Sequence, residues 1–326
     1  MADKKLSEII TPIISELETF HTKFSLTVYS DVKIVDYVTK YIVRQKGKRI
    51  RPILVLLSAK VLGEVNENTY IGATLVELLH TATLVHDDVV DEASKRRGLP
   101  SINNIWKNKV GVLIGDYLLA RGLMIAVEND SFDFLRQITT TVKRMSEGEL
   151  LQISKTKRLN INEETYFKII QDKTASLIET CTIIGARSVT SVEEKISALH
   201  EYGKNLGIAF QIKDDILDFV GKSKLFGKTI GGDIKEKKLT LPLIYSLQKA
   251  DKTTKKEILS AIRKGKDPNM VKNVVAFVEE SGGITYAQQV ADNYVEQAIA
   301  ALKPLPENDS SIALAELVHF VVGREK

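Results

Sequence analysis

Two aspartate clusters with the same spacing are the groups in this chain best suited to chemistry. They lie in LVHDDVVDE and FQIKDDILDF, and their six carboxylates are Asp87, Asp88, Asp91, Asp214, Asp215 and Asp218. In an α-helix the first and last aspartate of each cluster share one face, where their like charges repel each other. One such cluster alone could be a solvated acidic helix end, but two copies argue against coincidence.

Each cluster follows an apolar helical segment, so the carboxylates end helices that are predicted to be largely buried. Buried carboxylates need a compensating charge. Mg²⁺ supplies that charge, usually through one or two carboxylates per ion together with waters and substrate phosphates. The sequence therefore predicts a site for divalent cations and phosphate groups.

A polar stripe leads along the first helix to its aspartates. His80, Thr83, Asp87 and Asp91 fall on one face of an otherwise apolar segment. A single histidine in a helix is usually a core residue. Its place on the acidic face favours a role in substrate binding instead.

Basic residues are concentrated in three short segments, KGKRIR, SKRRG and GDIKEKK. Local concentration of this kind suits a small polyanion more than an extended nucleic acid, and the net charge of +4 is modest for the length. Arg96 and Arg97 precede Gly98, and the planar guanidinium favours bidentate phosphate contacts. Lys48 and Arg51 lie beside a predicted helix N-terminus, which favours an anion.

The segment after the second cluster, GKTIGGDIKEKKLTLP, resembles a flexible lid that carries cations. It contains Lys228, Asp233 and Lys238, and it lacks the spacing of a P-loop. Lys173 and Thr174 lie inside a predicted helix, where each taken alone would be a surface residue.

Composition favours one large domain, residues 1–326. The chain is 44% hydrophobic, with 7 prolines and 19 glycines spread over its length and no linker-like stretch. A single cysteine, Cys181, excludes an intramolecular disulfide and fits a reducing cytosol. The N-terminus lacks an apolar signal core, and no uninterrupted apolar segment approaches the roughly 20 residues needed to span a bilayer. We expect a soluble cytoplasmic protein.

Apolar positions repeat with helical spacing nearly everywhere, so the predicted fold class is all-α. Pro12 is expected to kink or restart the first helix. The later helices are predicted over residues 31–45, 51–62, 68–90, 110–128, 132–153, 162–185, 191–220, 239–249, 255–264, 268–280, 284–302 and 311–323. No segment shows the sustained alternation of a strand.

Five segments occur in the order KRIRP, ELLHTATLVHDDVVDEASKRRG, DKTASLIE, FQIKDDILD and GKTIGGD. With these segments the chain resembles the trans-isoprenyl diphosphate synthases, most closely the long-chain octaprenyl type. The resemblance is strongest over residues 47–97 and 173–242. It implies a single helical bundle with a central cavity, and a homodimer. Two residues depart from the pattern, because Lys46 and Lys237 stand where many members have glycine.

The resemblance also implies a role for each site residue. The aspartates of both clusters, above all Asp87, Asp91, Asp214 and Asp218, would hold Mg²⁺, expected as three ions. The residues expected to contact an allylic diphosphate are Arg96, Lys173, Thr174, Gln211 and Lys228, with Lys238 closing nearby. Those expected to hold isopentenyl diphosphate are Gly47, Lys48, Arg51, His80 and Arg97. Asp87, Asp91, Lys173, Asp214 and Lys228 would carry the catalysis.

The implied reaction breaks the allylic C–O bond and leaves pyrophosphate and a carbocation, which the double bond of isopentenyl diphosphate attacks. Metal ions and basic side chains would stabilise the departing negative charge. Ala82 and Thr83, which precede Asp87 by five and four residues, are small where short-chain members carry aromatics. We therefore predict a long product, hexaprenyl to decaprenyl, for quinone side chains.

Other functions remain open from the sequence. A terpene cyclase or head-to-head synthase would share the helical fold and an acidic metal site, but would not need a second diphosphate site at Lys48, Arg51 and Arg97. A non-catalytic subunit or helical scaffold would be expected to lack some of these charged residues. A shorter-chain synthase, or the catalytic half of a heteromer, also fits the sequence.

Overall fold

The computed structural model describes residues 5–44, 47–96, 98–220, 231–265 and 269–323. Two predicted ligands, Arg97 and Lys228, lie outside the described residues, as does Lys46. Within these ranges the chain is helical almost throughout, so the predicted all-α class is confirmed.

The N-terminal half contains α1 (Leu6–Ile9), a 3₁₀ turn (Thr11–Ile13), α2 (Ile14–Thr27), α3 (Lys33–Arg44), α4 (Ile50–Leu62), α5 (Glu67–Val90), α6 (Ile102–Glu128) and α7 (Phe132–Arg158). The C-terminal half contains α8 (Glu163–Ile170), a π turn (Gln171–Ala175), α9 (Ser176–Arg187), α10 (Glu193–Val220), α11 (Gly232–Lys235), α12 (Leu241–Lys249), α13 (Lys252–Lys264), α14 (Met270–Glu280), α15 (Gly283–Ala301) and α16 (Asp309–Val322). The 3₁₀ turn around Pro12 is the predicted restart of the first helix.

Helix α5 is the central helix that ends in the first aspartate cluster. Asn66 begins it with a capping box, since its side chain accepts from the amide of Thr69 while the Thr69 hydroxyl accepts from the amide of Asn66. Helices α4, α6, α7 and α9 pack around it. The helix before the first aspartate cluster, which the sequence predicts to be largely buried, is therefore a core helix.

Two apolar cores share one long helix, α10. Its first half, with Leu199, Tyr202 and Leu206, belongs to the larger core around α4, α5 and α9. Its second half, with Ile212 and Ile216, belongs to a smaller core formed with α12, α14 and α15. The second aspartate cluster lies on this second half, so its backbone is fixed by packing.

The structure differs from the predicted elements most clearly at three places. The segment 162–185 is divided by the π turn at residues 171–175. Helix α6 begins at Ile102 instead of residue 110 and is kinked at Lys107, whose φ is 72°. A short antiparallel pair, β1 (Lys95–Arg96) and β2 (Leu99–Pro100), occurs where no strand was predicted. It is too short to change the fold class.

Among the described residues, one helix, α6, is long and apolar enough to cross a membrane by length and composition alone. This finding differs from the sequence expectation that no segment approaches this length. A core helix of a soluble protein passes the same test. Gly111, Gly115 and Gly122 of α6 lie directly against Val89, His86 and Leu78 of α5, so one face of α6 is packed inside the bundle.

Candidate active site

A cavity of about 290 Å³ lies beside the C-terminal half of α5. Its polar lining contains the side chains Lys48, Arg49, Arg51, His80, Asp88 and Arg96. Leu84, Leu206 and Phe210 supply part of its apolar wall. The predicted basic segments KGKRIR and SKRRG therefore meet at one cavity with His80, as a site for a diphosphate with an apolar tail requires.

The segment that leads into α4 carries the cations of this cavity. Gly47 and Lys48 precede the helix, and Arg49 begins it in the left-handed region, with φ 47°. The guanidinium of Arg51 donates to Nε2 of His80 at 2.9 Å. The ammonium of Lys48 lies 4.7 Å from the ring centre of Phe320 on α16. Side chains from three separate parts of the sequence thus fix the cavity's cations.

Arg49 forms a short hydrogen bond to Nδ1 of His21 on α2. Burial lowers the pKa of His21, and the charge of Arg49 lowers it further. The lowered pKa favours the neutral imidazole, which is the form that can accept this hydrogen bond. This contact fixes the backbone between Lys48 and Arg51, because Arg49 stands between them.

The three aspartates of the first cluster have different environments. Burial raises the pKa of Asp87, and the negative charges of Glu149 and Asp91 add to this effect, while Lys173 opposes it. Asp91 is exposed at the end of α5. Asp88 is buried and accepts a 2.6 Å hydrogen bond from Nε of Arg96. Asp88 therefore holds Arg96 at the edge of the cavity.

The second cluster repeats this division. Asp214 is exposed, whereas Asp215 is buried and accepts from the hydroxyl of Tyr166 at 2.6 Å and from Nε2 of Gln211 at 2.8 Å. Burial raises the pKa of Asp215 to about 8, with a further contribution from the charge of Asp233. The middle aspartate of each cluster thus faces protein partners, because neighbouring helical residues point to different sides.

Asp218 has backbone partners. Its two carboxylate oxygens accept from the amides of Gly232 at 3.0 Å and Asp233 at 3.1 Å. The first turn of α11 is therefore fastened to the end of α10. These two bonds hold residues 232 and 233 beside the second aspartate cluster.

The π turn lies between the two clusters. Lys173 forms an ion pair with Glu149 on α7, and its charge acts on Asp87. The hydroxyl of Thr174 donates to Oε1 of Gln211 at 2.8 Å, and Gln211 in turn donates to Asp215. The predicted phosphate ligands Lys173, Thr174 and Gln211 are therefore neighbours that connect the end of α5 with α10. A π turn inside a helix is frequent at functional sites.

Lys238 brings the loop after α11 back to the first cluster. Burial lowers the pKa of Lys238, but its ion pair with Glu236 at 2.6 Å and the charges of Asp233 and Asp91 outweigh burial and raise the pKa. The Lys238 ammonium thus interacts electrostatically with Asp91, at the end of α5, and with Asp233, next to the end of α10. Lys237, the departure from the family pattern, has φ 61°, a conformation that favours glycine.

The acidic residues fit divalent cations held jointly with phosphate. In the described parts of the chain, no three acidic, histidine or cysteine side chains lie close enough together to hold a metal ion by themselves. Mg²⁺ commonly takes only one or two carboxylates, with waters and substrate phosphates as its other ligands. Such a cation would stabilise the charge of the half-buried Asp87, which lies near the negative charges of Glu149 and Asp91.

Four residues of this region were not singled out by the sequence patterns. They are Glu149, which pairs with Lys173; Tyr166, which holds Asp215; and Arg144 and Asp172, which form an ion pair beside the π turn. Glu149, Tyr166 and Arg144 lie on ordinary amphipathic helices, and their partners are close in space but distant along the chain. No local signal distinguishes them from surface residues.

Known proteins resemble the chain over nearly its whole length. It is 36% identical to an all-trans-nonaprenyl-diphosphate synthase (geranyl-diphosphate specific) of Rhodobacter capsulatus, with 97% of each chain covered. It is 35% identical to the octaprenyl diphosphate synthase of Escherichia coli, with 91% of this chain and 92% of the relative covered. Relatives with heptaprenyl and geranylgeranyl products also match.

A solved structure of similar fold is that of a polyprenyl synthase of Caulobacter crescentus, complexed with calcium and isoprenyl diphosphate. Its TM-score is 0.92 at 33% identity, and all of both chains is covered. The fold is therefore the all-α fold of the isoprenoid synthases, and the protein is a prenyltransferase. A polyprenyl synthetase profile matches residues 32–279, and the chain belongs to this family, as a trans-prenyl diphosphate synthase.

Proposed function

We propose that the protein is a long-chain polyprenyl diphosphate synthase. It adds isopentenyl diphosphate repeatedly, head to tail, to an allylic primer such as geranyl or farnesyl diphosphate, in a reaction that depends on Mg²⁺. The observation that carries the proposal is the pairing of two phosphate-binding regions. One is the cavity of Lys48, Arg51 and His80, and the other is the π turn that carries Lys173 beside Asp87.

In this proposal the cationic cavity binds isopentenyl diphosphate. Lys48 and Arg51 contact its diphosphate, together with Arg97, which is assigned this role by family resemblance. His80 orients Arg51 through their hydrogen bond. The apolar wall of Leu84 and Phe210 excludes water from the carbon chain, where a carbocation must survive.

The allylic diphosphate binds between the two aspartate clusters. Lys173, Thr174 and Gln211 contact its phosphates, as do Arg96 and Lys228, and Lys238 closes over it. Asp87, Asp91, Asp214 and Asp218 would hold Mg²⁺, which would supply positive charge for the departing pyrophosphate. Calcium accompanies isoprenyl diphosphate in the Caulobacter structure, and it prefers oxygen ligands as magnesium does. Three ions per site remain our prediction.

Asp88 and Asp215 were also predicted to be metal ligands. Their partners, Arg96 for the first and Tyr166 with Gln211 for the second, support a contribution through the orientation of these neighbours. Replacement of Asp88 by Asn tests whether this aspartate orients its neighbour or holds the metal ion. We expect a weaker effect on the Mg²⁺ requirement than replacement of Asp87 by Asn.

The proposed product is octaprenyl-like and serves a quinone side chain. Two small residues, Ala82 and Thr83, precede Asp87, and the octaprenyl and nonaprenyl synthases are close relatives over nearly full length. A shorter product is the second candidate, because a geranylgeranyl diphosphate synthase is 32% identical to this chain. Residue size at positions 82 and 83 favours the longer product.

We further propose a cytoplasmic homodimer, built on the face of α6 that points away from α5. On this face of α6, the side chains of Val112, Leu113, Met124 and Val127 are each about half exposed. Phe132, at the start of α7, is exposed to the same extent. Several large apolar side chains exposed on one helix are typical of an association site. Light scattering on the purified chain distinguishes a dimer from a monomer that requires a different subunit.

The deciding experiment is product analysis. Purified protein is incubated with radiolabelled isopentenyl diphosphate, Mg²⁺ and either geranyl or farnesyl diphosphate, and the dephosphorylated products are separated by chromatography. We expect a ladder that ends near eight isoprene units and disappears with EDTA. Conversion of the allylic substrate without uptake of isopentenyl diphosphate would instead identify a cyclase.

A further inference from the structure

The π turn is a local departure from α-helical geometry, and residues of two neighbouring helices contact it. It interrupts the otherwise continuous helix α8 to α9 by five residues, Gln171–Ala175, and carries Lys173 and Thr174. π turns are rare overall and are frequently found at functional sites. Two glycines on neighbouring helices let the backbone approach the turn. A Cβ on Gly148 would lie 2.9 Å from the backbone nitrogen of Lys173, and one on Gly207 would lie 2.5 Å from Cα of Ala175.

Arg144 of α7 holds the turn through Asp172, whereas Gln211 of α10 contacts it through Thr174. Its Nε donates to Oδ1 of Asp172 at 3.0 Å, and its NH1 donates to Oε1 of Glu179 at 2.9 Å. Asp172 lies inside the π turn, and Glu179 lies on the α-helix that follows. The Arg144 guanidinium therefore fixes the π turn relative to α9, the regular α-helix that follows it.

Burial makes this arrangement more demanding than a surface ion pair. The side chains of Asp172 and Glu179 are 17% and 7% exposed, and His200 of α10 also contacts Oε1 of Glu179, at 3.0 Å. Buried ion pairs add little stability compared with apolar side chains of the same size, because both charges lose their hydration. Stability alone therefore does not explain the brace, whereas fixing the position of Lys173 does.

Helix α7 thus holds both charged residues of the turn. Arg144 binds Asp172, and Glu149 binds Lys173, so the two neighbouring residues are fastened to one rigid helix at two points. We propose that Arg144 and Asp172 are positioning residues for the allylic diphosphate. Their ion pair sets the direction in which Lys173 and Thr174 face the phosphates. This inference rests on the proposed function.

The test compares kinetic constants for the two substrates. Arg144→Met keeps the length of the side chain and removes its charge, and Asp172→Asn keeps its shape. In each variant we expect KM for the allylic diphosphate to rise about 10-fold, since a misplaced ligand loses a charge-assisted hydrogen bond. KM for isopentenyl diphosphate should change by less than about 2-fold, because the other cavity is untouched. Arg144→Lys should recover part of the loss.

Lys168→Met is the matched control. Lys168 also pairs with Asp172, at 3.0 Å, but its side chain is 68% exposed and does not contact Glu179 or Arg144 in this network. We expect its allylic KM to equal that of the unmodified chain. Thermal melting of all four variants accompanies the kinetics, and Asp172→Asn reports on the brace if Arg144→Met does not fold.

Two results would overturn the inference. The first is a folded Arg144→Met or Asp172→Asn variant whose allylic KM is unchanged. The second is an equal rise of KM for both substrates together with a lower melting temperature, as a general structural role would produce. An unmodified chain that incorporates no isopentenyl diphosphate would overturn the proposed function, and this inference with it.

Discussion

The guanidinium of Arg51 donates a 2.9 Å hydrogen bond to Nε2 of His80, joining the start of α4 to the middle of α5. The bond directs one cation of the cavity. A hydrogen bond to a charged group contributes about 1.5–3 kcal/mol, or about 10- to 150-fold in an equilibrium constant. His80→Ala should therefore raise KM for isopentenyl diphosphate within this range and leave the allylic KM nearly unchanged.

A double-mutant cycle with Arg51→Met separates orientation from direct contact. If His80 acts through Arg51, the double variant should be little worse than Arg51→Met alone, because the orienting bond is already absent. Additive losses would show that His80 binds substrate independently. Initial rates at varied concentrations of each substrate provide the measurement.

Asp87 is expected to separate activity from stability. Burial raises its pKa above the ordinary value, so the folded state holds the charged form less well than the unfolded chain does. Stability from this group is present at low pH and declines as pH rises through the shifted pKa. Asp87→Asn should therefore melt at an equal or higher temperature at neutral pH, while kcat falls by about 10³-fold or more. If both the melting temperature and kcat fell in Asp87→Asn, the charged carboxylate would stabilise the fold, and this prediction would be wrong.

The parts of the candidate site that could be predicted from the sequence are those whose signals are local. The acidic clusters, the cationic segments and the helices that carry them are each encoded within one stretch, and α5 (Glu67–Val90) lies within one residue of its predicted start. The π turn could not be predicted, because the apolar spacing over residues 162–185 is that of an unbroken helix. The partners of Lys173 and Asp215, Glu149 and Tyr166, depend on tertiary packing that no single segment specifies.

The residues before Asp87 allow a sharper test of product length than the sequence alone offered. Ala82 is 1% exposed and Thr83 is half-buried. An added phenyl ring at Ala82 would overpack the core at a cost of about 1–3 kcal/mol, so Thr83→Phe is the cleaner variant. We expect it to shorten the main product by several isoprene units while kcat for the first condensation is retained.

Thr140→Phe is the control for this experiment, because Thr140 is exposed on α7 and its hydroxyl bonds only within that helix. Reversed-phase chromatography of the dephosphorylated products gives the chain lengths. An unchanged distribution in folded Thr83→Phe would remove position 83 from the path of the growing chain.

Lys237 is expected to reduce stability through its backbone. Its φ of 61° costs a residue with a Cβ about 1–2 kcal/mol, and glycine avoids this cost. Its ammonium donates to the carbonyl of Arg263 at 3.2 Å, an exposed bond of small value. Lys237→Gly should therefore raise the melting temperature by a few degrees, about 2–4 °C per kcal/mol for a large domain. Lys237→Ala, which loses the bond and keeps the strain, should show no gain.

His200 should make stability depend on pH. Its hydrogen bond to Glu179 raises the pKa of the imidazole above 6.5, and the bonds from His200 and Arg144 lower the pKa of Glu179 although burial opposes this. A raised imidazole pKa means that the ion pair stabilises the fold fully below pH 6.5 and loses this contribution as pH rises through the folded pKa.

His200→Gln should therefore melt below the unmodified chain in acid, and the difference should vanish in alkali. The gap should not exceed about 1 kcal/mol, because the imidazole is 38% exposed and water screens the pair. Melting curves from about pH 5.5 to about pH 9 measure it, and a gap that stays constant across this range would show that His200 acts by packing and not by charge.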